Sequence, residues 1–262
     1  MFFDLITAVL AGVLGVATGW WASLAIRRVP RDEPILQSWP RCHFCDAYLA
    51  GKDLIPVVSW FRLRGKCRSC AAPLGYRYLV LELGTGLLFA LLVLHMGVSV
   101  ALIAYLYLAA ICVVLFVIDL REHRLPDALT LPAYAVIGVL LLVGAVTTGQ
   151  WEALLRAGSG AAILFGVYYV LAVMASGALG FGDVKLAGLL GLVLGWAGWY
   201  VLIAGAVLGF VYGGVFSMVL LTARRVNGST RIPFGPFMVL GALTAVLFDH
   251  HLAAPMSLLI AV

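Results

Sequence analysis

The sequence predicts an all-α polytopic membrane protein: about eight transmembrane helices, with a small cytoplasmic four-cysteine module after helix one. Three observations predict it: the apolar composition, the length of the apolar runs, and one polar stretch that carries most of the basic residues. Of 262 residues, 64% are hydrophobic and 11% charged, and the mean hydropathy is +1.09. Soluble globular chains are about half apolar and a quarter charged, so the expected solvent for this surface is a lipid bilayer.

The first apolar run, Met1 to Ile26, ends at Arg27-Arg28. A cleaved signal would carry its positive charge before the run, whereas this chain opens Met1-Phe2-Phe3-Asp4. Residues 1–26 are therefore expected to form a retained first transmembrane helix. Further spans are expected at 78–95, 98–118, 128–147, 152–176, 184–198, 200–222 and 236–261, each near the length a bilayer requires. The 184–222 region divides at Gly195-Trp196-Ala197-Gly198, and the last run holds Asp249-His250-His251 and Pro255. No internal repeat is evident.

Residues 27–77 form the polar module, with Arg27, Arg28, Arg31, Arg41, Lys52, Arg62, Arg64, Lys66, Arg68 and Arg77. Positive-inside sorting places this module in the cytoplasm, and span parity puts Asp119–Asp127, Ser176–Asp183 and Thr222–Pro233 on the same side. The last of these is also basic, through Arg224, Arg225 and Arg231. The net charge of +5 thus gathers at helix ends facing anionic lipid, and no nucleic-acid partner is expected.

Within the module, Cys42-His43-Phe44-Cys45 and Cys67-Arg68-Ser69-Cys70 supply two C-x-x-C pairs. Two such pairs, separated by about twenty residues, suit a tetrahedral thiolate zinc site, with Cys42, Cys45, Cys67 and Cys70 as ligands. Disulfides are disfavoured in a reducing cytoplasm, and a redox pair needs a single C-x-x-C. Four protein ligands leave no open position, so the expected role is structural; a metal would supply folding energy that this polar loop lacks. Cys112, alone in an apolar run, is expected to be packing.

Ionisable groups at membrane depth are costly and tend to be functional. Asp119 follows Val113-Val114-Leu115-Phe116-Val117-Ile118, at a cytoplasmic helix end. Asp183 closes Gly180-Phe181-Gly182-Asp183 and opens the next helix at the same face. Gly180 and Gly182 are expected to allow unusual φ/ψ and to let an extended substrate approach. Two neighbouring carboxyl groups share a proton; the ionised one acts as general base on water and the protonated one polarises a carbonyl. The plainer alternative is that Asp119 marks an interface and Asp183 caps a helix N-terminus. Glu82 could bind an amino or basic group of a substrate, or pair with a loop arginine. Lys185 is expected to snorkel to the interface, and Asp127 to hydrogen-bond within its short loop. Trp20, Trp21, Trp196, Trp199 and Tyr200 suit interfacial anchoring.

Several segments resemble the type IV prepilin peptidase family, the leader peptidase/N-methyltransferases. Ile55-Pro56-Val57-Val58-Ser59-Trp60, then Leu63-Arg64-Gly65-Lys66-Cys67-Arg68-Ser69-Cys70, is similar to the family's cytoplasmic loop. Arg77-Tyr78 and Glu82-Leu83-Gly84-Thr85-Gly86 resemble its entry into helix two. Ile118-Asp119, Leu125-Pro126-Asp127 and Leu129-Thr130-Leu131-Pro132 resemble its first aspartate region; Gly180 to Leu186 resembles the second. Ile232-Pro233-Phe234-Gly235-Pro236 resembles a segment near its C-terminus. The likeness covers most of the chain.

The resemblance implies an aspartyl peptidase of a bacterial inner membrane, with the bundle 78–262 as its peptidase part. Asp119 and Asp183 would be catalytic, with Gly180, Gly182, Asp127, Glu82 and Lys185 in support. It implies a prepilin or type II secretion pseudopilin substrate, cut at the cytoplasmic face after a Gly, and N-methylation of the new terminus with S-adenosylmethionine. Three departures bear on methylation. Gly19-Trp20-Trp21-Ala22-Ser23-Leu24 lacks an Asn common in the family, Leu54 replaces the usual Asn before Ile-Pro, and His43 stands where many members have Pro. The alternatives are a peptidase without methyltransferase activity, a proton-coupled transporter, and a zinc-knuckle membrane adaptor. A transporter would want midplane charges and repeat symmetry, and an adaptor leaves both aspartate motifs unexplained.

Overall fold

The computed structural model describes residues 2–34, 39–42, 44–174, 179–223 and 232–249. Among these, nine α-helices follow one another: α1 (Phe2–Arg28), α2 (Val58–Arg62), α3 (Arg77–Met96), α4 (Val100–Glu122), α5 (Asp127–Thr148), α6 (Trp151–Met174), α7 (Phe181–Ala197), α8 (Trp199–Thr222) and α9 (Gly235–Leu247). The all-α expectation holds. Six helices, α1, α3, α4, α5, α6 and α8, are long and apolar enough to cross a membrane. The two other expected spans are shorter: α7 has 17 residues, and the described part of the last run is the 13-residue α9. His43, Arg224, Arg225, Arg231, His250, His251 and Pro255 lie outside the described residues. The break between α7 and α8 falls at Gly198, whose φ of 157° admits a glycine far more easily than any other residue.

The chain divides into two compact units. The first comprises Met1–Val98 with Ala109–Val114, and contains α1, α3 and the cysteine module. Here α1 and α3 meet backbone to backbone. A methyl group on Gly15 would lie 2.7 Å from the Thr85 carbonyl, and one on Gly19 the same distance from the Glu82 Cα. In lipid, where burial of apolar surface gives little drive, such close packing of small residues supplies the helix–helix attraction.

The second unit, Ser99–Leu108 with Leu115–Val262, holds the remaining helices except for residues 109–114 of α4. Its centre is α7, with Val184, Leu186, Ala187 and Leu189 fully buried. Glycines form the seams again: Gly191 against Gly160 of α6, and Gly209 of α8 against Met238 of α9. At one end of α7, Arg156 donates through Nε to the Gly195 carbonyl (2.7 Å) and through Nη2 to that of Trp196 (2.8 Å). This cation caps the helix's negative end. Trp196 itself is buried and packs on Gly144, so it does not anchor an interface; the neighbouring Trp199 is exposed. Cys112 is buried, as expected.

Candidate active site

The opposite end of the second unit brings the two aspartates together. Asp119 stands one turn before the end of α4 and is only 4% exposed. The helix stops there because His123 turns into the left-handed region (φ 51°) and its N–H caps the Asp119 carbonyl at 3.0 Å. Asp183 is the third residue of α7 and is 9% exposed. Its Oδ2 accepts the Gly180 N–H at 3.1 Å, so it caps its own helix and faces that helix's positive end. The capping alternative is therefore correct as a description of Asp183. The same residue also lies close enough to Asp119 to feel its charge.

Two glycines shape the space between these helix ends. A Cβ at Gly235, the first residue of α9, would lie 2.7 Å from Asp119 Oδ2 and 3.5 Å from Leu125. One at Gly182 would lie 2.9 Å from the Leu125 Cβ. Leu125 thus links the loop after α4 to the starts of both α7 and α9. Asp119 Oδ2 is buried and meets no donor among the described residues, an unusual state for a buried oxygen. Tyr168 of α6 stacks on Phe210 (5.4 Å) and approaches Phe234 (6.2 Å), the residue before Gly235.

The structure corrects several expectations. Gly180 sits at φ −77°, ψ 150°, an extended conformation open to any residue, and Gly182 is helical; neither uses unusual φ/ψ. The space beside Gly182 is taken by the Leu125 side chain. Lys185 does not simply snorkel: its Nζ donates to both oxygens of Asp127, at 2.6 and 2.7 Å, and lies 5.1 Å from the Phe181 ring. Asp127 therefore ties the start of α5 to α7 rather than bonding within its loop. Tyr134 adds a second tie, donating to the Lys185 carbonyl at 2.6 Å. Gly235 and Leu125 were given no role from the sequence, although both lie in segments that carry the family resemblance.

In the first unit, Glu82 is 6% exposed and, among the described residues, pairs with no loop arginine. Its Oε2 accepts the backbone N–H of Val57 at 2.6 Å. The four cysteines gather as expected: their Sγ atoms all lie within 4.8 Å of one another, and all are free thiols. The Cys42–Cys70 separation is 3.8 Å. Tetrahedral zinc with bonds of about 2.3 Å requires sulfur–sulfur distances of about 3.8 Å, so the donor set fits. The amides of Cys70 and Ser69 pull the Cys67 thiol down to about 7. The Ala47 amide acts the same way on Cys45, but burial and the neighbouring thiols prevail and push it up to about 12.

The module also contains a repeat that the sequence reading missed. The Cys42 N–H bonds the Ala47 carbonyl and the Asp46 N–H the Cys42 carbonyl; Cys67, Ala72 and Ala71 make the same two bonds. Asp46 (φ 53°) and Ala71 (φ 55°) occupy the same left-handed position, and the bridges Arg41–Tyr48 and Lys66–Pro73 close each knuckle. The signal was C-x-x-C-x-Ala at both places. Between the knuckles, Asp53 forks onto Arg68 at 2.8 and 2.5 Å, and that guanidinium holds its carboxyl below the usual range.

Glycine-seamed membrane helices, two buried aspartates at adjoining helix ends and a four-thiol module define a class: polytopic membrane proteins with a paired-carboxylate centre. Residues 13–96 match the Bacterial Peptidase A24 N-terminal domain and residues 106–221 the Type IV leader peptidase family. The chain is 34% identical to a prepilin leader peptidase/N-methyltransferase of Stutzerimonas stutzeri, over 82% of this chain and 73% of the relative. A protein of that name from Aeromonas hydrophila is 33% identical, over 80% and 72%; one from Pseudomonas putida is 30% identical, over 95% and 94%. No solved structure matches the chain. The chain belongs to the type IV leader peptidase family and is a multi-pass membrane peptidase.

Proposed function

We propose that this protein cleaves the basic leader from type IV prepilins or type II secretion pseudopilins, using Asp119 and Asp183 as the catalytic pair, and then methylates the new N-terminus. The observation that carries this reading is that two carboxyl groups are buried at one end of the second unit, with Asp183 near enough to feel the Asp119 charge. Such a pair shares one proton. The ionised carboxylate takes a proton from water as the water attacks the scissile carbonyl; the protonated one hydrogen-bonds that carbonyl and passes its proton to the leaving amine. The basic loop and the positive-inside rule support a cytoplasmic location for this site and for the cysteine module. Cys42, Cys45, Cys67 and Cys70 would hold a structural zinc ion, and S-adenosylmethionine would supply an electrophilic methyl group.

The test is cleavage of a purified prepilin in detergent by the parent, Asp119→Asn and Asp183→Asn proteins, with the product masses measured. The expected result is a leader-sized mass loss that falls at least about 10³-fold in each variant. Undiminished cleavage by either variant would overturn the assignment.

A further inference from the structure

The buried carboxylate that peptide cleavage leaves unused is Glu82. Its setting differs from that of a simple structural clamp. Val57 has φ 61° and ψ −54°, and the Val58 N–H bonds the Pro56 carbonyl across it at 2.5 Å, which makes a γ-turn. That turn is rare and strained even for permissive residues, and a β-branched residue suits it least. Strain of this kind persists where surrounding structure imposes it, and it gathers at functional sites. At this turn the Val57 N–H donates to Glu82 Oε2 at 2.6 Å. The other oxygen of Glu82 meets no donor among the described residues, yet it is not sealed from solvent. The rest of the residue is enclosed, with the backbone of Gly19 against its Cα. One oxygen thus fixes the side chain, and the second is left for a ligand that donates hydrogen bonds.

We propose that Glu82 binds the free α-amino group of the cleaved substrate and positions it for methylation. This rests on the methyltransferase reading above. The amino group enters as an ammonium ion, which a largely desolvated carboxylate holds through a charge-assisted hydrogen bond. Before transfer it loses one proton to Glu82. The amine lone pair then attacks the methyl carbon of the sulfonium donor; the N–C bond forms, the C–S bond breaks, and its electron pair stays on sulfur. The resulting secondary ammonium loses a proton to solvent as product leaves, and Glu82 returns its own to solvent.

Two measurements test this. The first is the affinity of a short apolar peptide beginning with Phe, with a free or an Nα-acetylated terminus, for the detergent-solubilised protein without methyl donor. The parent should prefer the free amine by on the order of tenfold, and Glu82→Gln, isosteric and still able to accept from Val57, should lose that preference. The second is the ratio of methylated to cleaved product, which should fall at least tenfold in Glu82→Gln. Adding Val57→Gly relieves the turn. If Glu82 merely held the turn, Glu82→Gln, which keeps the bond from Val57, would methylate as the parent does, or the double variant would recover whatever Glu82→Gln had lost; either result would overturn the proposal, as would an unchanged amine preference in Glu82→Gln. A parent that cleaves but never methylates would instead sink the methyltransferase reading.

Discussion

The cysteine module and the aspartate centre reach order by opposite routes. The module is assembled within residues 41–73 by two nearly identical knuckles, each closed by its own backbone bonds. It contributes little apolar core: Cys42 and Cys67 are buried, while Trp39, Phe44, Tyr48 and Phe61 are exposed. The aspartate centre draws on α4, α7, α9 and the loop before α5, and is fixed by contacts at Leu125 and Gly235 that leave no room for a methyl group. On the proposed reading the first is a chelate and the second a packing junction. They should therefore fail differently: one when its metal is removed, the other when an atom is added.

The largest expected effect lies in the module. A structural zinc site contributes on the order of 10 kcal/mol to folding, far more than the knuckles' hydrogen bonds could replace. Cys42→Ser or Cys67→Ser should remove the metal and open residues 39–74 to protease within minutes, while the helices stay intact. Methylation should fall further than leader cleavage. Equal zinc content in parent and variants, measured by elemental analysis, would contradict the chelate.

At the junction the expected order is set by space. Gly235→Ala and Gly182→Ala place a carbon 2.7 and 2.9 Å from atoms that must then move. Displacing a reacting group by about 1 Å costs about 10²-fold in rate, so kcat should fall by that order with little loss of thermal stability. Gly180→Ala adds a carbon 3.5 Å from Asp183 Oδ2, an ordinary contact, and should retain most activity. Equal losses at all three positions would mean that glycine acts here through backbone freedom, not space.

The two regions also differ in how far the sequence disclosed them. Cysteine spacing carried the module because its geometry is local: four cysteines at fixed offsets suffice to predict which sulfurs gather. The same logic should have exposed the repeat, but the shared C-x-x-C-x-Ala is hidden by dissimilar neighbours, His43-Phe44 and Arg68-Ser69. Membrane depth and glycine context singled out Asp119 and Asp183. What surrounds them did not follow, since a contact such as Gly235 on Asp119 joins residues more than a hundred positions apart and depends on how helix ends pack. Lys185 was read from its offset along one helix, while its partner Asp127 belongs to another.

A smaller effect is expected at that ion pair. Asp127 is 55% exposed at its side chain, and exposed pairs contribute about 0.2–1 kcal/mol. Its value lies in holding the start of α5 against α7. Asp127→Asn and Lys185→Met should each lower kcat several-fold and leave KM nearly unchanged, and the double variant should be no worse than either alone. Fully additive losses would show that the two residues act separately.

The smallest effect returns to the module and concerns pH. Asp53 has its folded pKa held below the unfolded value by the Arg68 guanidinium. Its stabilisation is therefore fully present above the unfolded carboxylate pKa and is lost as pH falls through the lower, folded one. Thiolate ligands take up protons at higher pH than a carboxylate does, so on acidification the metal should leave first, before Asp53 titrates. Asp53→Asn should then lower the module's resistance to protease modestly at neutral pH, with zinc still bound, and should leave the pH of zinc release unchanged. If that release shifted upward in Asp53→Asn, the Arg68 fork would be holding the second knuckle in register for the metal, and the separation drawn here between chelate and surrounding chain would have to be given up.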